Sequence, residues 1–329
     1  MAATILEVAA AAGVAASTVS RTFSRPELIS PETRDRVMSA ARQLGYLPRS
    51  SRGRQAGRTG NIGLIVPDIA NPFFPPFIKA TQNHALRSDY AVFLADTDED
   101  PKAEQRVVSH VVKQVDGILL CSSRLPAEAI REVAEETKLV LVNRVVEGIP
   151  SVLLDTGDGM RQAIDHLAAL GHRSVVYLSG PGPSWSNEQR RRGLQAQVRR
   201  HRMKLAVLGP YISNFAAGIQ AADSVLTMDA TAVLAYDDVM ALGVLARLSD
   251  RGVRVPEDVS LVGCDDVAAA EMSRPALTTI SARYDLAGRS AVDLLVGLVG
   301  ETIDEPDSEA VTLPTQLIIR QTTGPAPAR

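Results

Sequence analysis

From residue 61 onward, short apolar runs alternate with longer segments in which apolar residues recur at helical spacing. The apolar runs predict buried strands, and the amphipathic segments between them predict helices. Predicted strands cover 61–66, 90–95, 117–121, 138–143, 151–155, 174–179, 231–236 and 259–264; predicted helices cover about 73–88 and 101–114, one ends at Leu170, and another begins near Asn187. Repeated strand–helix units predict parallel sheets covered by helices, and the restart after residue 158 predicts two Rossmann-like lobes.

The first 47 residues follow another pattern, which predicts three short helices. Thr4 and Glu7 have the spacing of a capping box, Gly13 supplies a tight turn, and Ser30 followed by Pro31 is typical of a helix start. The apolar positions of this segment are Ile5, Val8, Ala9, Ala12, Val14, Val19, Val37, Ala40, Ala41 and Leu44. Together they predict an all-α helix-turn-helix head whose second helix begins near Ala15.

A helix-turn-helix places its second helix in the major groove of DNA. Small side chains at the start of that helix approach base edges closely, and Arg21 is suited to phosphate or guanine. The candidate DNA-binding residues of the head are Thr4, Ala15, Ala16, Ser17, Thr18, Ser20 and Arg21. The alternative interpretation is a three-helix unit with no role in DNA binding.

The charge distribution agrees with a DNA-binding head. Residues 1–59 contain nine arginines and four acidic residues, a net charge of +5, whereas the whole chain carries −3. The remaining residues therefore carry −8. A basic head on an acidic body is typical of a phosphate-binding module joined to a domain that does not bind nucleic acid.

Four sequence segments carry a resemblance to a known family. They read GYLP at 45–48, GRTGNIGLIVPDIANPFF at 57–74, RVPEDVSLVGCDD at 254–266 and LTTI at 277–280. With the head, they make the chain similar to the lactose-repressor-like (LacI/GalR) transcriptional regulators over almost its entire length. The resemblance implies a cytoplasmic, homodimeric, ligand-responsive transcription factor, usually a repressor, that binds a palindromic operator.

The resemblance also implies how the chain is divided. The head covers 1–47, a linker covers 48–60, and an effector-binding and dimerisation domain, like a periplasmic binding protein, covers 61–329. Within that body we expect one lobe at about 61–157 and 281–318, and a second at about 158–280 and 319–329.

The linker departs from the family pattern. In the family, this segment forms a hinge helix that inserts a leucine into the minor groove, but no leucine lies between Pro48 and Arg58 here. Gln55 occupies the expected leucine position, and the segment keeps four arginines, Arg49, Arg52, Arg54 and Arg58. We expect an arginine-rich arm that binds phosphate or the minor groove; the alternative is a flexible tether.

Polar and aromatic residues follow several predicted strands, where ligands bind in open parallel sheets. The candidate effector-binding residues are Asn71, Phe73, Phe74, Asp96, Asp155, Trp185, Arg190, Phe215, Asp237 and Asp265. Carboxylates and aromatic faces suit a small hydroxyl-rich molecule, such as a sugar, a sugar derivative or a nucleoside. The resemblance places effector contacts at Arg190, which lies three residues before a glycine, and at Asp155, Asp237 and Asp265. In the family, asparagine is usual at the position of Asp237.

Other interpretations of these residues remain open. Strand-end aspartates, including Asp238 and Asp266, are also common helix caps. Phe73 and Phe74 are equally compatible with a hydrophobic core. Trp185, the only tryptophan, lies in a segment rich in glycine and proline, which predicts a loop beside the ligand.

Several classes of protein lack support in the sequence. Glycine-rich phosphate-binding motifs are absent, and no Ser–His–Asp or Cys–His catalytic set can be argued from the sequence, so we expect no cofactor and no enzymatic reaction. The five histidines lack metal-ligand spacing, so we expect no metal. A solute-binding protein would share the two-lobed body, but we expect it to carry an export signal and no head. The chain has no apolar run of membrane-spanning length, and Cys121 and Cys264 are expected to be buried free thiols.

Overall fold

The computed structural model of the protein describes residues 3–24, 28–46, 58–300 and 310–328. The chain separates into two compact units, Met1–Gly60 and Asn61–Arg329. We call them the head and the body and describe each by itself. No helix of the described residues is long and apolar enough to cross a membrane.

The head contains three helices, as the sequence predicts: α1 (Ile5–Ala12), α2 (Ala16–Ser24) and α3 (Pro31–Gln43). Thr4 and Glu7 form the capping box, and Gly13 ends α1 with a left-handed φ of 65°. Ser30 accepts a hydrogen bond from the amide of Thr33 and caps α3. The buried core consists of Val8, Ala9, Ala12, Val19, Val37, Ala40 and Ala41. Leu44 was expected in this core, but it follows the last turn of α3 and is exposed.

The body contains two parallel sheets and a small antiparallel pair of strands. The strands are β1 (Asn61–Val66), β2 (Ala91–Asp96), β3 (Gly117–Cys121), β4 (Lys138–Val142), β5 (Ser151–Leu154), β6 (Ser174–Leu178), β7 (Lys204–Leu208), β8 (Ala232–Ala235), β9 (Ser260–Val262), β10 (Thr279–Ala282), β11 (Val311–Leu313) and β12 (Thr315–Ile318). The six-stranded sheet has the order β11-β5-β4-β3-β1-β2, and the four-stranded sheet has the order β7-β6-β8-β9. Within both sheets all neighbouring strands are parallel. The predicted fold class is therefore confirmed.

Helices cover both sheets. They are α4 (Phe74–Arg87), α5 (Pro101–Val111), α6 (Ala127–Glu136), α7 (Thr156–Ala169), α8 (Trp185–Arg200), α9 (Phe215–Val225), α10 (Asp238–Asp250), α11 (Ala268–Met272) and α12 (Tyr284–Val299), with a short 3₁₀ helix at Val112–Gln114. Apolar clusters occupy both faces of each sheet, as parallel sheets require. The helix α12 packs against α4 and the strands β3, β4 and β5, so it belongs with the six-stranded sheet.

The chain passes between the two sheets more than once. After β5 it enters α7, which packs on α8, and after the second sheet it returns through β10 to α12. The strands β10 and β12 pair antiparallel in the connection. These crossings place the carboxyl ends of β1–β4 and of β8 and β9 around a common cleft. The lobe boundaries near residues 157, 280 and 318 stay predictions.

Candidate functional site

The exposed face of α2 carries the head residues expected to contact DNA. Val19 is buried and fixes the helix on the core, whereas Ser17 and Arg21 lie on the exposed side. Thr4, Ala15 and Ser20 are also exposed, and Ala16 and Thr18 are half-buried. The hydroxyl of Thr4 is occupied by the capping box, since it accepts from the Glu7 amide and donates to the Glu7 carboxylate. The surface of α2 is therefore one of small side chains beside one long cation.

Four predicted DNA-binding residues, Arg49, Arg52, Arg54 and Gln55, lie outside the described residues.

A cleft of about 360 Å³ opens at the carboxyl ends of the strands in the body. The lining residues come from loops after β1–β4 on one side, and from α8, the segment before α9 and the loops after β8 and β9 on the other. They are Asn71, Phe73, Phe74, Glu99, Ser122, Arg124, Asn143, Ser186, Arg190, Ser213, Tyr236, Asp237 and Asp265.

A buried ion pair forms the floor of the cleft on the side of the four-stranded sheet. Arg190, on α8, donates from Nη2 to Oδ1 of Asp265 at 3.2 Å and from Nη1 to the carbonyl oxygen of Tyr236. Its guanidinium also lies 4.5 Å from the centroid of the Tyr236 ring, within cation–π range. Nε of Arg190 is buried and has no hydrogen-bond partner among the described residues, which leaves a donor for a bound molecule.

The carboxyl groups of this floor are strongly desolvated. Burial raises the pKa of Asp265 well above its usual range, and Asp237 adds to the effect while Arg190 opposes it. Burial also raises the pKa of Asp237, and hydrogen bonds from Ser213 and the Met240 amide oppose that shift. A ligand hydroxyl that donates to either carboxylate would replace part of the lost hydration.

Asn71 connects the two sides of the cleft directly. It follows β1, and its Nδ2 donates to Oδ2 of Asp237 at 3.3 Å and to Oγ of Ser213 at 3.2 Å. Its Oδ1 accepts from the amide of Phe73 at 3.0 Å, which fixes the orientation of the side-chain amide. Asn71 therefore bridges the loops of both sheets within the cleft.

Aromatic residues form the apolar wall. Phe73 packs edge-on against Phe74 and Tyr284, with ring centroids 4.7 and 4.8 Å apart. Phe73 and Phe74 are both buried and both line the cleft, so their place in the core is confirmed and their contact with a ligand stays a prediction.

Left-handed backbone conformations concentrate at the cleft. Four lining residues have positive φ: Glu99 at 59°, Ser122 at 48°, Asn143 at 52° and Asp265 at 115°. Such conformations are uncommon outside glycine and persist where the surrounding structure imposes them, typically at binding sites. The strand-end loops are therefore shaped to direct these side chains into the cleft.

Six of the ten predicted effector residues line the cleft, and four do not. Asp96 accepts from the amides of Ile69 and Asp98 and holds two loops together. Asp155 caps α7. Trp185 is the first residue of α8 and is half-buried; the expected loop position was wrong, because Ser184 starts the helix there. Phe215 is the first residue of α9 and is exposed.

The two aspartates with open interpretations have structural partners. Asp238 accepts from the Thr279 hydroxyl at 2.5 Å and from the Val267 amide at 2.9 Å. Asp266 pairs with Arg320 at 2.6 Å. Asp238 thereby attaches the four-stranded sheet to β10, and Asp266 attaches it to the segment after β12. Cys121 and Cys264 are buried free thiols, as expected.

Seven lining residues were missed by the sequence analysis: Glu99, Ser122, Arg124, Asn143, Ser186, Ser213 and Tyr236. Ser122, Arg124 and Tyr236 lie at or just beyond the ends of predicted strands, so the strand-end argument applied to them as well. Ser186 and Ser213 carried no comparable signal.

Comparisons with known proteins agree with this arrangement. A model of the lacI family of bacterial regulatory proteins matches residues 4–49, and a periplasmic binding protein-like domain matches residues 164–323. The HTH-type transcriptional repressor CytR of Escherichia coli K12 is 33% identical over 99% of this chain and 98% of its own length. The chain belongs to the LacI family. It is a ligand-responsive, DNA-binding transcriptional regulator and not an enzyme.

Two solved structures of related regulators match almost the entire chain. A lac repressor dimer bound to operator and the anti-inducer ONPF superposes with a TM-score of 0.85 at 27% identity, and the match covers 98% of this chain and 100% of that one. A complex of the transcriptional regulator CelR with cellobiose superposes with a TM-score of 0.71 at 29% identity, and covers 97% of this chain and 99% of that one.

Proposed function

We propose that this LacI-family protein is a cytoplasmic repressor that binds a palindromic operator as a homodimer and senses a small hydroxyl-rich metabolite, such as a sugar, a sugar derivative or a nucleoside. The observation that carries the proposal is the cleft, which is lined by paired carboxylates, a bridging amide and an aromatic wall. The relatives support it, because CytR is a repressor and CelR was solved with cellobiose.

The exposed face of α2 supplies the sequence-reading contacts in this proposal. Ser17 and Arg21 lie on that face beside the smaller Ala16. A side chain as short as serine lets the helix backbone approach the floor of the major groove, and arginine pairs with guanine through two hydrogen bonds. The arginines of the linker add phosphate contacts that carry no sequence information.

The edge of the six-stranded sheet supports dimerisation. The strand β2 is an edge strand that pairs with β1, and it exposes the large apolar side chains of Phe93 and Leu94. Ile69, in the loop after β1, is also exposed. Unprotected apolar edge strands are unfavourable in water, so a second copy of the chain is the occupant we propose for this surface.

Ligand binding changes DNA affinity only if the effector binds one conformation better than the other. The cleft supplies such a difference, because its two walls come from different sheets and Asn71 contacts Asp237 across it. A molecule that fills the cleft replaces this contact and fixes the separation of the walls. Effector contacts at Phe73, Phe74, Arg190 and Asp265 belong to the proposal.

The experiment compares operator binding by wild-type protein, Arg21→Ala and a matched control. DNA fragments selected from random sequence define the operator, and affinity is measured at one salt concentration. Arg21→Ala is expected to weaken binding by about 1–3 kcal/mol, whereas Arg36→Ala, an equal charge change on the exposed side of α3, weakens it far less. Equal affinities of Arg21→Ala and the wild type would overturn the proposed reading face.

A thermal-shift screen of sugars, sugar phosphates and nucleosides tests the sensing function. A ligand present at about 100 times its dissociation constant adds about 2.7 kcal/mol to the stability of the folded state. We expect a compound that raises the melting temperature also to change operator affinity. A compound that stabilises the protein and leaves operator binding unchanged would contradict the proposed coupling.

A further inference from the structure

The side of the cleft formed by the six-stranded sheet carries a second ion pair, Glu99 with Arg124. We propose that this pair makes the cleft charge-selective: it receives uncharged or cationic polyhydroxylated molecules and rejects their phosphorylated or carboxylated counterparts. The inference rests on the proposed function, which identifies the cleft as the effector site, and it names the residues that determine the specificity of that site.

All three nitrogens of the Arg124 guanidinium donate hydrogen bonds within the protein. Nε and Nη2 donate to the two carboxylate oxygens of Glu99 at 2.5 and 2.8 Å, and Nη1 donates to the carbonyl oxygen of Ser122 at 2.8 Å. The Arg124 side chain is 3% exposed and that of Glu99 is 24% exposed. Bidentate arginine–carboxylate pairs are strong and geometrically specific. An anionic ligand would have to compete with Glu99 for this cation, whereas the exposed edge of Glu99 accepts hydroxyl and ammonium hydrogens.

The backbone holds this pair in place. Asp98 and Glu99 are consecutive residues with left-handed φ of 49° and 59°, and the Glu99 amide donates to the carbonyl oxygen of Pro67 at 2.8 Å. From the other side, the buried Glu104 accepts from the Arg124 amide at 2.8 Å. Two adjacent non-glycine residues in this region indicate a conformation that the surrounding structure imposes. The loop therefore delivers the carboxylate of Glu99 to the cleft at a defined position.

The charges around the cleft disfavour an anion. Carboxyl groups of Glu99, Asp237 and Asp265 line it, against the guanidinium groups of Arg124 and Arg190. Each of these two guanidinium groups is paired with a carboxylate. Nη1 of Arg190 also donates to the carbonyl oxygen of Tyr236, which holds this guanidinium in place. A phosphate group would therefore meet carboxylates without an unpaired cation among these lining residues.

Trp185 provides a fluorescence signal next to the cleft. It is the only tryptophan and precedes Ser186, which lines the cleft on α8. Its fluorescence is followed in the full-length protein during titration with matched compounds: D-ribose and ribose 5-phosphate; D-glucose, glucosamine and glucose 6-phosphate; and the four ribonucleosides with their 5′-monophosphates. We expect each compound that binds to do so at least ~10-fold more tightly than its phosphorylated counterpart, because like-charge juxtaposition opposes the phosphate.

Glu99→Gln tests which residue makes the distinction. The amide no longer neutralises Arg124, so the phosphorylated counterpart gains affinity and the ratio of the two affinities falls by at least ~10-fold. Glu128→Gln is the matched control, since it makes the same change at an exposed side chain on α6 outside the cleft, and the ratio stays at the wild-type value. The wild-type comparison needs no variant and remains decisive if Glu99→Gln fails to fold.

Three results would overturn the inference, and they differ in whether they also contradict the proposed function. Phosphorylated compounds that bind the wild type as tightly as their neutral counterparts refute charge selection but leave the sensing function intact. An unchanged affinity ratio in Glu99→Gln removes the Glu99–Arg124 pair from the explanation. If no compound of either kind alters Trp185 fluorescence or operator binding, the proposed function is contradicted and the inference falls with it.

Discussion

The buried pair of Arg190 and Asp265 provides the sharpest test of how the cleft is built. Their side chains are 5% and 7% exposed. Arg190→Met keeps an unbranched side chain of similar length but leaves the Asp265 carboxylate buried without its cation. Removing one partner of a buried pair destabilises proteins by about 3–5 kcal/mol. The variant also loses the hydrogen bond to the Tyr236 carbonyl and the stacking on its ring.

The double variant Arg190→Met/Asp265→Asn is expected to be more stable than the sum of the single effects predicts. Neither side chain then carries a buried charge without a partner, so most of the electrostatic penalty disappears. Residues that share a network show interaction energies of about 0.5–3 kcal/mol, and we expect a value near the upper end because both side chains are almost fully buried. The measured quantity is the free energy of unfolding of the effector-free wild type, both single variants and the double variant.

Equilibrium urea denaturation at pH 7, followed by Trp185 fluorescence and far-UV circular dichroism, supplies these energies. The pair Arg161 with Asp158 is the control: its contact is shorter, 2.6 Å, but the side chains are 43% and 38% exposed. Solvent screening limits such pairs to about 0.2–1 kcal/mol, so the control cycle shows a much smaller coupling.

The pH dependence gives a second check on the same cycle. Burial raises the pKa of Asp265, and without Arg190 nothing comparable opposes that shift. Arg190→Met therefore recovers stability relative to the wild type as the pH falls and Asp265 takes up a proton. Additivity of the two single effects within about 0.5 kcal/mol, or a loss of stability that is unchanged by pH, would refute this description of the cleft floor.

Three further predictions concern the packing of the body, its pH dependence and the linker. Gly193→Ala overlaps the carbonyl oxygen of Gly157, so it separates α8 from α7, destabilises the body by about 1–3 kcal/mol in urea denaturation and weakens effector binding. Burial raises the pKa of Asp238 from 3.8 to about 7. Protonated Asp238 therefore contributes up to about 4 kcal/mol to the free energy of unfolding, and this contribution is fully present below pH 4 and is lost as the pH rises through about 7. Asp238→Asn removes this pH dependence, and curves of unfolding free energy against pH that run parallel for variant and wild type would contradict the prediction. Changing Arg52 and Arg54 together to alanine flattens the plot of log operator affinity against log salt by up to about 2 units, whereas an unchanged slope shows that the linker is only a tether.

The parallel strands and the head helices could be predicted because each has a strong local signal. Buried parallel strands are continuous apolar runs, and the capping box at Thr4 and the proline at 31 mark helix starts by their own hydrogen bonding and fixed backbone angle. The edge strand β7 was missed; unlike the predicted strands β3, β4 and β6 of equal length, it is exposed or only half-buried along its whole length.

Long-range pairing was not predictable in the same way. The strands β10 and β12 pair across more than thirty residues, and no turn signal joins them. Their register is set by the two sheets that they connect rather than by their own sequence. The same limit applies to Asp238, whose partner Thr279 lies 41 residues away.

Only part of the cleft could be predicted, because some of its residues also depend on features that the local sequence does not mark. Arg190 and Asp265 were found through the family pattern and the strand-end argument, which depend on topology. Glu99 was missed because its position depends on a left-handed backbone that the sequence does not mark with glycine. Trp185 was assigned to a loop because glycine and proline surround it, although Ser184 caps a helix at that point.

In the proposed function, one chain couples a small-molecule cleft to a DNA-binding head. The most direct test measures operator affinity with and without a compound that binds the cleft, and the affinity for that compound with and without operator. Linkage requires both ratios to be equal, and for a regulator of this kind we expect a factor of about 5–150. Asp265→Asn, which alters the cleft floor and leaves the head unchanged, is expected to reduce that factor while operator binding without effector persists. A compound that occupies the cleft with a ratio of one in both measurements would contradict the claim.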